Sequence, residues 1–411
     1  MAIIQPFKAL RPQPQLAKQV ASRPYDVLNS AEAKKEAAGN PASFLHITKS
    51  EIDLPESVDI HDAQVYEQAK ENLTAFIKRD VLFRESKDCY YIYQLIMHGR
   101  SQTGLVCVSS VDDYENDIIK KHEFTRPEKE LDRINHIKTS GAQTGNVFLA
   151  YRNNVRLDAL IENWKKTKTA VYDFEADDQI KHTIWVVNDE LTIQNISSIF
   201  ENEIPCTYIA DGHHRAASAA KVRAALGTNA GKNADYFLTT LFPSNQLYIM
   251  DYNRVVKDLN GLTPAAFIEA VSIQFNVEQL SQEPFKPQAL HEMGMYLNGS
   301  WYKLTSKPET FTEDPIGILD VTILQNNILD GILGIVDPRT DARVDFVGGI
   351  RGLQVLADRV DSGQFAAAFS LYAVTIDQLF AIADSGNVMP PKSTWFEPKL
   401  RDGLLTHLIY E

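Results

Sequence analysis

The sequence predicts a mixed α+β protein with two domains. Strand-like and helix-like segments alternate irregularly and are interrupted by hairpins, whereas a doubly wound parallel sheet would need strands and helices in regular succession. The 411 residues are 44% hydrophobic, which is enough for a large core and for more than one domain. Because the patterning changes near residue 240, we predict a first domain over 1–240 and a second α+β domain over 241–411.

The predicted elements of the first domain follow from periodicity and turn chemistry. They are, in order, a helix near 30–38 capped by Asn29 or Ser30, a helix over 61–80, an antiparallel hairpin over 89–111, a helix over 125–141 with a Thr125–Glu128 capping box and an end at Gly141, strands in NVFLAY and HTIWVVN, a strand, turn and helix over 208–227, and a linker over 227–235. Helices and hairpins are therefore mixed in this half of the chain.

The second domain is predicted by the same signals. Its elements are strands in YFLTTLFP and LYIMDYNRVV, a helix entered at Thr263, a helix over 319–334, strands in RVDFVGGIRG and FAAAFSLYAV, and a short helix over 375–383. No internal repeat or low-complexity tract is visible.

Composition restricts the classes of function. The net charge of −13 argues against nucleic-acid partners, which need a basic face. No apolar run approaches the roughly 18 residues of a membrane span, and the N-terminal residues lack the apolar stretch of a signal peptide. Cys89, Cys107 and Cys206 are widely spaced, which predicts free thiols in a reducing compartment. We predict a cytoplasmic protein and leave open whether it forms a homo-oligomer.

The strongest functional signal is YIADGHHRAASAAKVRAALG (208–227), which places His213, His214 and Arg215 in the first turn of a helix. A helix N-terminus is already positive, so a cation there costs roughly 0.3–1 kcal/mol unless an anion binds. The simplest such anion is a phosphate. Gly212 would let the ligand approach the backbone closely, and Asp211 can cap the helix.

Two other interpretations of this turn stay open. It can be an ordinary capped helix whose histidines face solvent. It can also hold a metal ion on Asp211, His213 and His214, although neighbouring side chains on a helix point about 100° apart and rarely share one ion.

A second segment, KKHEFTRPEKELDR (120–133), gathers basic groups around a predicted helix start. Arg126, Lys129 and Arg133 recur at helical spacing and share a face. His122 and Glu123 precede the helix, where a general base beside an anion pocket would be useful. The alternative is a solvated, salt-bridged helix.

A third segment, MPPKSTWFEPK (389–399), offers Lys392, Ser393 and Thr394, a cation and two hydroxyls, after a rigid Pro-Pro turn. The alternative is a C-terminal loop ordered by its aromatic residues. VGGIRG (347–352) is only a weak glycine-rich signal, and the sequence has no P-loop, nucleophile elbow or kinase signature.

The segments IIQPFKALRP, RPYDV, NPASFLHI, KKHEFT, ADGHHRAASA and MPPKSTWFEPK together resemble the domain-of-unknown-function 1015 family of bacteria and archaea. The DGHHR turn also resembles the phosphate-binding turn of the ParB/sulfiredoxin-like fold, which ADP-dependent free-serine kinases carry as DGHHR. The resemblance implies an N-terminal ParB/sulfiredoxin-like core whose turn holds a transferred phosphoryl group. Members of the family tend to lie near serine-biosynthesis genes, which implies serine or phosphoserine as substrate.

The resulting hypothesis is phosphoryl transfer, as a kinase or phosphatase, on serine, phosphoserine or a similar small metabolite. The residues assigned to catalysis are Asp211, His213, His214, Arg215 and Glu123, with Asp26 as a second candidate base, and those assigned to phosphate or substrate binding are Gly212, Arg126, His122, Lys392, Ser393 and Thr394. ADP or ATP would be the nucleotide, and Mg²⁺ would accompany it although no motif encodes a metal site. The alternatives are a non-catalytic regulatory module that binds a nucleotide or phosphometabolite, and a metal-dependent hydrolase.

Overall fold

A computed structural model describes residues 1–227, 231–280 and 283–410 and shows a mixed α+β protein. Its strands are β1 Ile4–Gln5, β2 Leu10–Pro12, β3 Leu82–Arg84, β4 Tyr90–Met97, β5 Arg100–Ser110, β6 Ile119–Lys120, β7 Ala142–Gln143, β8 Val147–Tyr151, β9 Tyr172–Glu175, β10 Lys181–Val187, β11 Thr207–Asp211, β12 Tyr236–Pro243, β13 Ile249–Met250, β14 Tyr252–Val256, β15 Phe275–Gln279, β16 Glu292–Leu297, β17 Ser300–Ser306, β18 Val344–Gly348, β19 Ala367–Leu371, β20 Trp395–Phe396 and β21 His407–Leu408.

The helices complete the element order. They are α1 Ala17–Val20, α2 Ser30–Ala37, α3 Leu45–Thr48, α4 Ala63–Lys78, α5 Val111–Glu115, α6 Pro127–Ser140, α7 Val155–Thr167, α8 Glu190–Glu203, α9 His213–Leu226, α10 Pro264–Gln274, α11 Asp320–Leu324, α12 Gln354–Asp361 and α13 Ile376–Asp384. Within the ranges that the structure describes, no helix is long and apolar enough to cross a bilayer.

The chain divides into two compact units. The first unit comprises Met1–Lys121, Thr125–Leu247 and the C-terminal segment from Pro398, and the second comprises His122–Phe124 and Tyr248–Glu397. The C-terminal segment therefore returns to the unit that contains the N-terminus.

The first unit is built on a mixed sheet. Among the described residues it has nine strands, in the order β6-β11-β8-β12-β5-β4-β10-β9 with β1 paired to β5. The pairs β11–β6 and β12–β8 are parallel and the other pairs are antiparallel. The predicted hairpin over 89–111 is confirmed as β4 and β5, and Gly99 sits in its turn with a φ of 76°.

Helix α9 packs on this sheet through small side chains. Ala216, Ala219 and Ala220 are buried in one core cluster with Leu149 of β8 and Ile209 of β11. Alanine lets the helix backbone approach the sheet closely, so the polar first turn of α9 is held firmly at the end of β11.

The C-terminal segment is tied to the first unit by backbone pairing. Asp402 forms an isolated bridge with Ser22, Thr406 forms another with Leu10, and β21 pairs with β7. Through these contacts, residues from the N-terminal and the C-terminal segments lie close to the turn that precedes β8.

The second unit contains a separate antiparallel sheet. In the described part of the chain it has six strands in the order β15-β17-β16-β19-β14-β18. Its core includes Val255, Tyr296, Trp301 and Ala368, against which α12 places Leu356.

Three local predictions are wrong in detail. The N-cap of α9 is Gly212 rather than Asp211, and the N-cap of α6 is Arg126, with no side-chain cap, rather than Thr125. Thr125 instead hydrogen-bonds to the side chain of Glu130 in the first turn of α6. The helix predicted over 319–334 is α-helical only over Asp320–Leu324, because the backbone continues as a π-helical segment over Gln325–Asp330.

Other local predictions are confirmed. Asn29 caps α2 in a capping box with Glu32, and Gly141 ends α6 in the left-handed conformation. Cys89, Cys107 and Cys206 are free, and the first two are buried. Of the predicted linker over 227–235, residues 228–230 lie outside the described residues, and Lys232–Asp235 form a short 3-10 turn.

Candidate functional site

The backbone turn between β11 and α9 requires glycine. The register of β11 against β8 shifts between Ile209 and Asp211, and Gly212 follows with a φ of 102°. A Cβ at this position would lie 3.3 Å from the guanidinium carbon of Arg215 and 3.4 Å from Cα of Val147. Both the left-handed backbone and the crowding favour glycine, and the turn thus sets the start of α9 against the start of β8.

The N-termini of α6 and α9 lie side by side. The Arg126 amide donates a hydrogen bond to Nε2 of His214 at 2.9 Å, and one turn further along, the Ser218 hydroxyl contacts the Glu130 carbonyl at 3.2 Å. Lys221, the next turn of α9, pairs with the Glu130 carboxylate. The two helices therefore run in the same direction, and the positive ends of both dipoles meet at His214. An anion there would stabilise both ends.

Arg215 is held by acceptors on several elements. Its Nη2 lies 3.2 Å from Oδ2 of Asp26 and 3.5 Å from Oδ1 of Asp211, and its Nη1 donates to the Asn146 carbonyl. Burial works against the charge, but the carboxylates of Asp26 and Asp211 outweigh it and raise the pKa of the guanidinium. The Nε of Arg215 is buried, and within the described residues no acceptor faces it.

Asp211 is also bound by the C-terminal segment. Its Oδ2 accepts a hydrogen bond from Nζ of Lys399 at 2.8 Å. With Lys399 on one oxygen and Arg215 near the other, Asp211 is an ion-pair partner whose negative charge is compensated on both sides.

Asp402 adds a buried acid beside Arg215. A Cβ on Gly145 would lie 3.3 Å from Cδ of Arg215 and 3.5 Å from Oδ1 of Asp402, so both side chains pack against this glycine. Burial raises the pKa of Asp402 to about 7, although Arg215 opposes the shift. Oδ2 of Asp402 has no hydrogen-bond partner in the described part of the structure.

The predicted site residues are divided between the two units. Asp211, Gly212, His213, His214, Arg215 and Arg126 lie in the first unit, at the starts of α9 and α6. The second unit contains His122, Glu123, Lys392, Ser393 and Thr394.

Within the second unit, the structure brings two of the predicted segments together. The Met389 amide donates to the His122 carbonyl at 2.9 Å. The Ser393 hydroxyl donates to the Pro390 carbonyl at 2.6 Å, and Nζ of the exposed Lys392 lies 5.8 Å from the Tyr252 ring centroid. The Ser393 hydroxyl is thus bound within the Pro-Pro turn, and the segment 122–124 lies beside this turn.

The metal interpretation of the turn has no support in the donor geometry. In the described ranges, no group of at least three His, Cys, Asp or Glu side chains is arranged to hold a metal ion. Asp211, His213 and His214 are therefore not a preformed metal-binding set.

Sequence reasoning misses Lys399 and Asp402 as site residues and ranks Asp26 only as a second choice. Lys399 is the last residue of MPPKSTWFEPK, and Asp26 lies in RPYDV, so both belong to segments that the sequence singles out. Asp402 has no such signal, because only the return of the chain to Ser22 places it beside Arg215.

A family model described as "Protein of unknown function (DUF1015)" matches residues 4–322. The chain belongs to this family. No curated protein matches it in sequence.

Several solved structures are similar at low sequence identity. A free serine kinase in complex with AMP is 13% identical, with 73% of this chain and 92% of that chain covered and a TM-score of 0.37. A conserved hypothetical protein from Pyrococcus furiosus is 13% identical, with coverages of 74% and 94% and a TM-score of 0.37. SbnI with a C-terminal truncation, from Staphylococcus aureus, is 11% identical, with coverages of 72% and 85% and a TM-score of 0.37.

Proposed function

We propose that the first unit transfers a phosphoryl group to or from a small hydroxy acid such as serine, with ADP or ATP as the nucleotide. The observation that carries the proposal is the environment of Arg215, whose guanidinium is fixed while its buried Nε faces no acceptor among the described residues. An unsatisfied buried donor costs about 1–3 kcal/mol, so a ligand oxygen at Nε would be stabilising. A phosphoryl oxygen suits this charged, planar donor.

The phosphoryl group would sit at the joined helix starts. The backbone N–H groups of the first turn of α9 and the two helix dipoles attract negative charge, and His213 and His214 belong to the same turn. Arg126, exposed at the start of α6, would add a cation from the neighbouring helix. Such catalysis consists mostly of positioning and charge neutralisation, which these groups can supply.

Asp26 is the best-placed general base in the first unit. Its carboxylate faces Arg215 through Oδ2 at 3.2 Å and is one-third exposed, so a substrate hydroxyl can reach it and transfer its proton to the carboxylate. Asp211 is less suited to this role because Lys399 binds one of its oxygens and Arg215 lies near the other. Lys399 would instead keep Asp211 from competing with the phosphoryl group for Arg215.

The second-unit residues Glu123, His122, Lys392, Ser393 and Thr394 stay predictions of the sequence as base and binding residues. Mg²⁺ would be held mainly by the nucleotide phosphates, since the described residues offer no preformed set of ligands.

The test is to incubate the protein with O-phospho-L-serine and Mg²⁺, without nucleotide, with AMP and with ADP, and to quantify serine, inorganic phosphate, ADP and ATP. Phosphate release without nucleotide identifies a phosphatase, whereas ADP formed from AMP, or ATP formed from ADP, identifies a reversible kinase. Arg215→Lys keeps the charge but loses Nε and should lose most of the turnover, whereas Arg223→Lys, at a partly buried, ion-paired position further along α9, should keep it. Ligand binding without either product would overturn the enzyme proposal in favour of a regulatory binding module.

A further inference from the structure

A pocket opens in the first unit between α6, α9 and the segment that leads into β8. Its polar lining is formed by Tyr25, Arg133, His136, Gln143, Thr144 and Arg215. Apolar side chains, among them Val147 and Phe237, form the remaining wall. Arg215 belongs both to this lining and to the proposed phosphate site, so the two sites are adjacent.

Arg133 is a fixed cation with one unused edge. Its Nε and Nη2 bind Oδ2 of Asp132 at 2.9 and 2.6 Å, and its guanidinium lies 3.9 Å from the Tyr25 ring centroid. These contacts hold the plane of the side chain, which is 11% exposed. Among the described residues Nη1 has no acceptor, so this edge of the guanidinium can donate a hydrogen bond to a ligand in the pocket.

Thr144 and His136 add complementary polar groups. Thr144 lines the pocket, and its hydroxyl makes no hydrogen bond to the described residues. Nε2 of His136 lies 3.0 Å from the Ile47 carbonyl, which can only accept, so Nε2 carries the proton. Burial and the charge of Arg133 lower the pKa of His136 to about 4, so the ring is neutral near pH 7 and Nδ1 is an acceptor.

We infer that this pocket binds the carboxylate end of a small amino or hydroxy acid, the same molecule whose oxygen exchanges the phosphoryl group at Arg215. This inference rests on the proposed function. The carboxylate would accept hydrogen bonds from Nη1 of Arg133 and from the Thr144 hydroxyl, while an ammonium or hydroxyl group on the neighbouring carbon would donate to His136. The apolar wall would contact the carbon chain. An amine without a carboxylate would leave Nη1 of Arg133 without an acceptor, so the pocket selects acids.

The experiment compares three probes by calorimetry and ligand-detected NMR: L-serine, ethanolamine, which lacks the carboxylate, and inorganic phosphate. The wild-type protein should prefer L-serine over ethanolamine by about tenfold or more, the difference that one charge-assisted hydrogen bond makes.

Two pocket variants test the residues that would bind the carboxylate. Thr144→Val removes only the hydroxyl. The double variant Asp132→Asn/Arg133→Gln removes the cation without leaving a buried carboxylate unpaired. Both should bind L-serine about tenfold more weakly and phosphate unchanged. Arg156→Gln removes an exposed, ion-paired arginine of α7 and is the matched control.

Equal affinities for L-serine and ethanolamine, no binding of L-serine, or an unchanged L-serine affinity in both pocket variants would overturn the inference. The phosphate probe reports separately on the proposed function. If phosphate does not bind but the serine preference depends on Arg133, the phosphoryl site fails and the carboxylate pocket stands. If phosphate binds through Arg215 but L-serine does not, the reverse holds.

Discussion

Lys399 donates a hydrogen bond to the Asp211 carboxylate at 2.8 Å, and the two residues are 188 positions apart. Both side chains are largely buried, with exposures of 17% and 28%, so solvent screens the pair only in part. The contact ties the C-terminal segment to the DGHHR turn. Because Asp211 also lies beside Arg215, its contact with Lys399 affects how strongly Asp211 competes with an anion for the Arg215 guanidinium.

Replacing Lys399 should weaken anion binding. In Lys399→Met, Asp211 loses a cation and interacts more strongly with Arg215, so we expect inorganic phosphate to bind about tenfold more weakly by calorimetry. Lys399→Arg should restore part of the affinity. Lys18→Met removes an exposed lysine of the same unit and should change nothing. Unchanged phosphate affinity in Lys399→Met would show that Asp211 does not regulate Arg215.

A methyl group at Gly212 should strain the backbone and crowd Arg215. In Gly212→Ala the positive φ costs about 1–2 kcal/mol, and the new Cβ must also share space with the guanidinium 3.3 Å away. Gly99→Ala is the matched control, since Gly99 has a φ of 76° but no atom within 4 Å of an added Cβ. Chemical denaturation should show a loss of stability in both variants, whereas phosphate affinity should fall only in Gly212→Ala.

The local part of the site could be predicted from the sequence, and the long-range part could not. The DGHHR turn requires a glycine, a following alanine face and a helix start, and all of these are visible in neighbouring residues. Asp26, Lys399 and Asp402 reach Arg215 only through the pairing of distant segments, for which one sequence contains no local signal.

The wrong N-caps have a related cause. Asp211 and Thr125 are residues that commonly cap helices, but other side chains bind them: Lys399, distant in sequence, binds Asp211, and Glu130 of α6 binds Thr125. The apolar pattern of α4 likewise does not predict correctly which of its side chains are buried. The apolar stripe of α4 predicts that Ile77 is buried with Phe76, yet its side chain is 40% exposed because the buried face of the helix ends at Phe76.

Asp320 in the second unit should make stability fall as pH rises. Burial raises the pKa of this carboxyl to about 7, against about 3.9 in an unfolded chain. Between these two pH values the unfolded chain has lost a proton that the folded chain retains, so each pH unit lowers the free energy of unfolding by about 1.4 kcal/mol. Asp320→Asn removes this contribution while keeping an acceptor for the His291 amide.

Denaturant titrations across the acidic range would test this. The slope of unfolding free energy against pH should be more positive in Asp320→Asn than in the wild-type protein, and Glu313→Gln, at an exposed position, should leave the slope unchanged. Identical slopes in Asp320→Asn and the wild-type protein would contradict the prediction.

Asp402 should make anion binding in the first unit depend on pH. Because burial raises the pKa of Asp402 to about 7, the carboxyl is neutral in mild acid and gains a negative charge beside Arg215 as the pH rises. We expect sulfate, whose own charge is constant in this range, to bind roughly tenfold more weakly at about pH 8 than at about pH 6. In Asp402→Asn the carboxylate contribution is lost, so the profile should become shallower, whereas Asp320→Asn in the second unit should leave it unchanged. A profile in Asp402→Asn as steep as in the wild-type protein would show that Asp402 does not control anion binding.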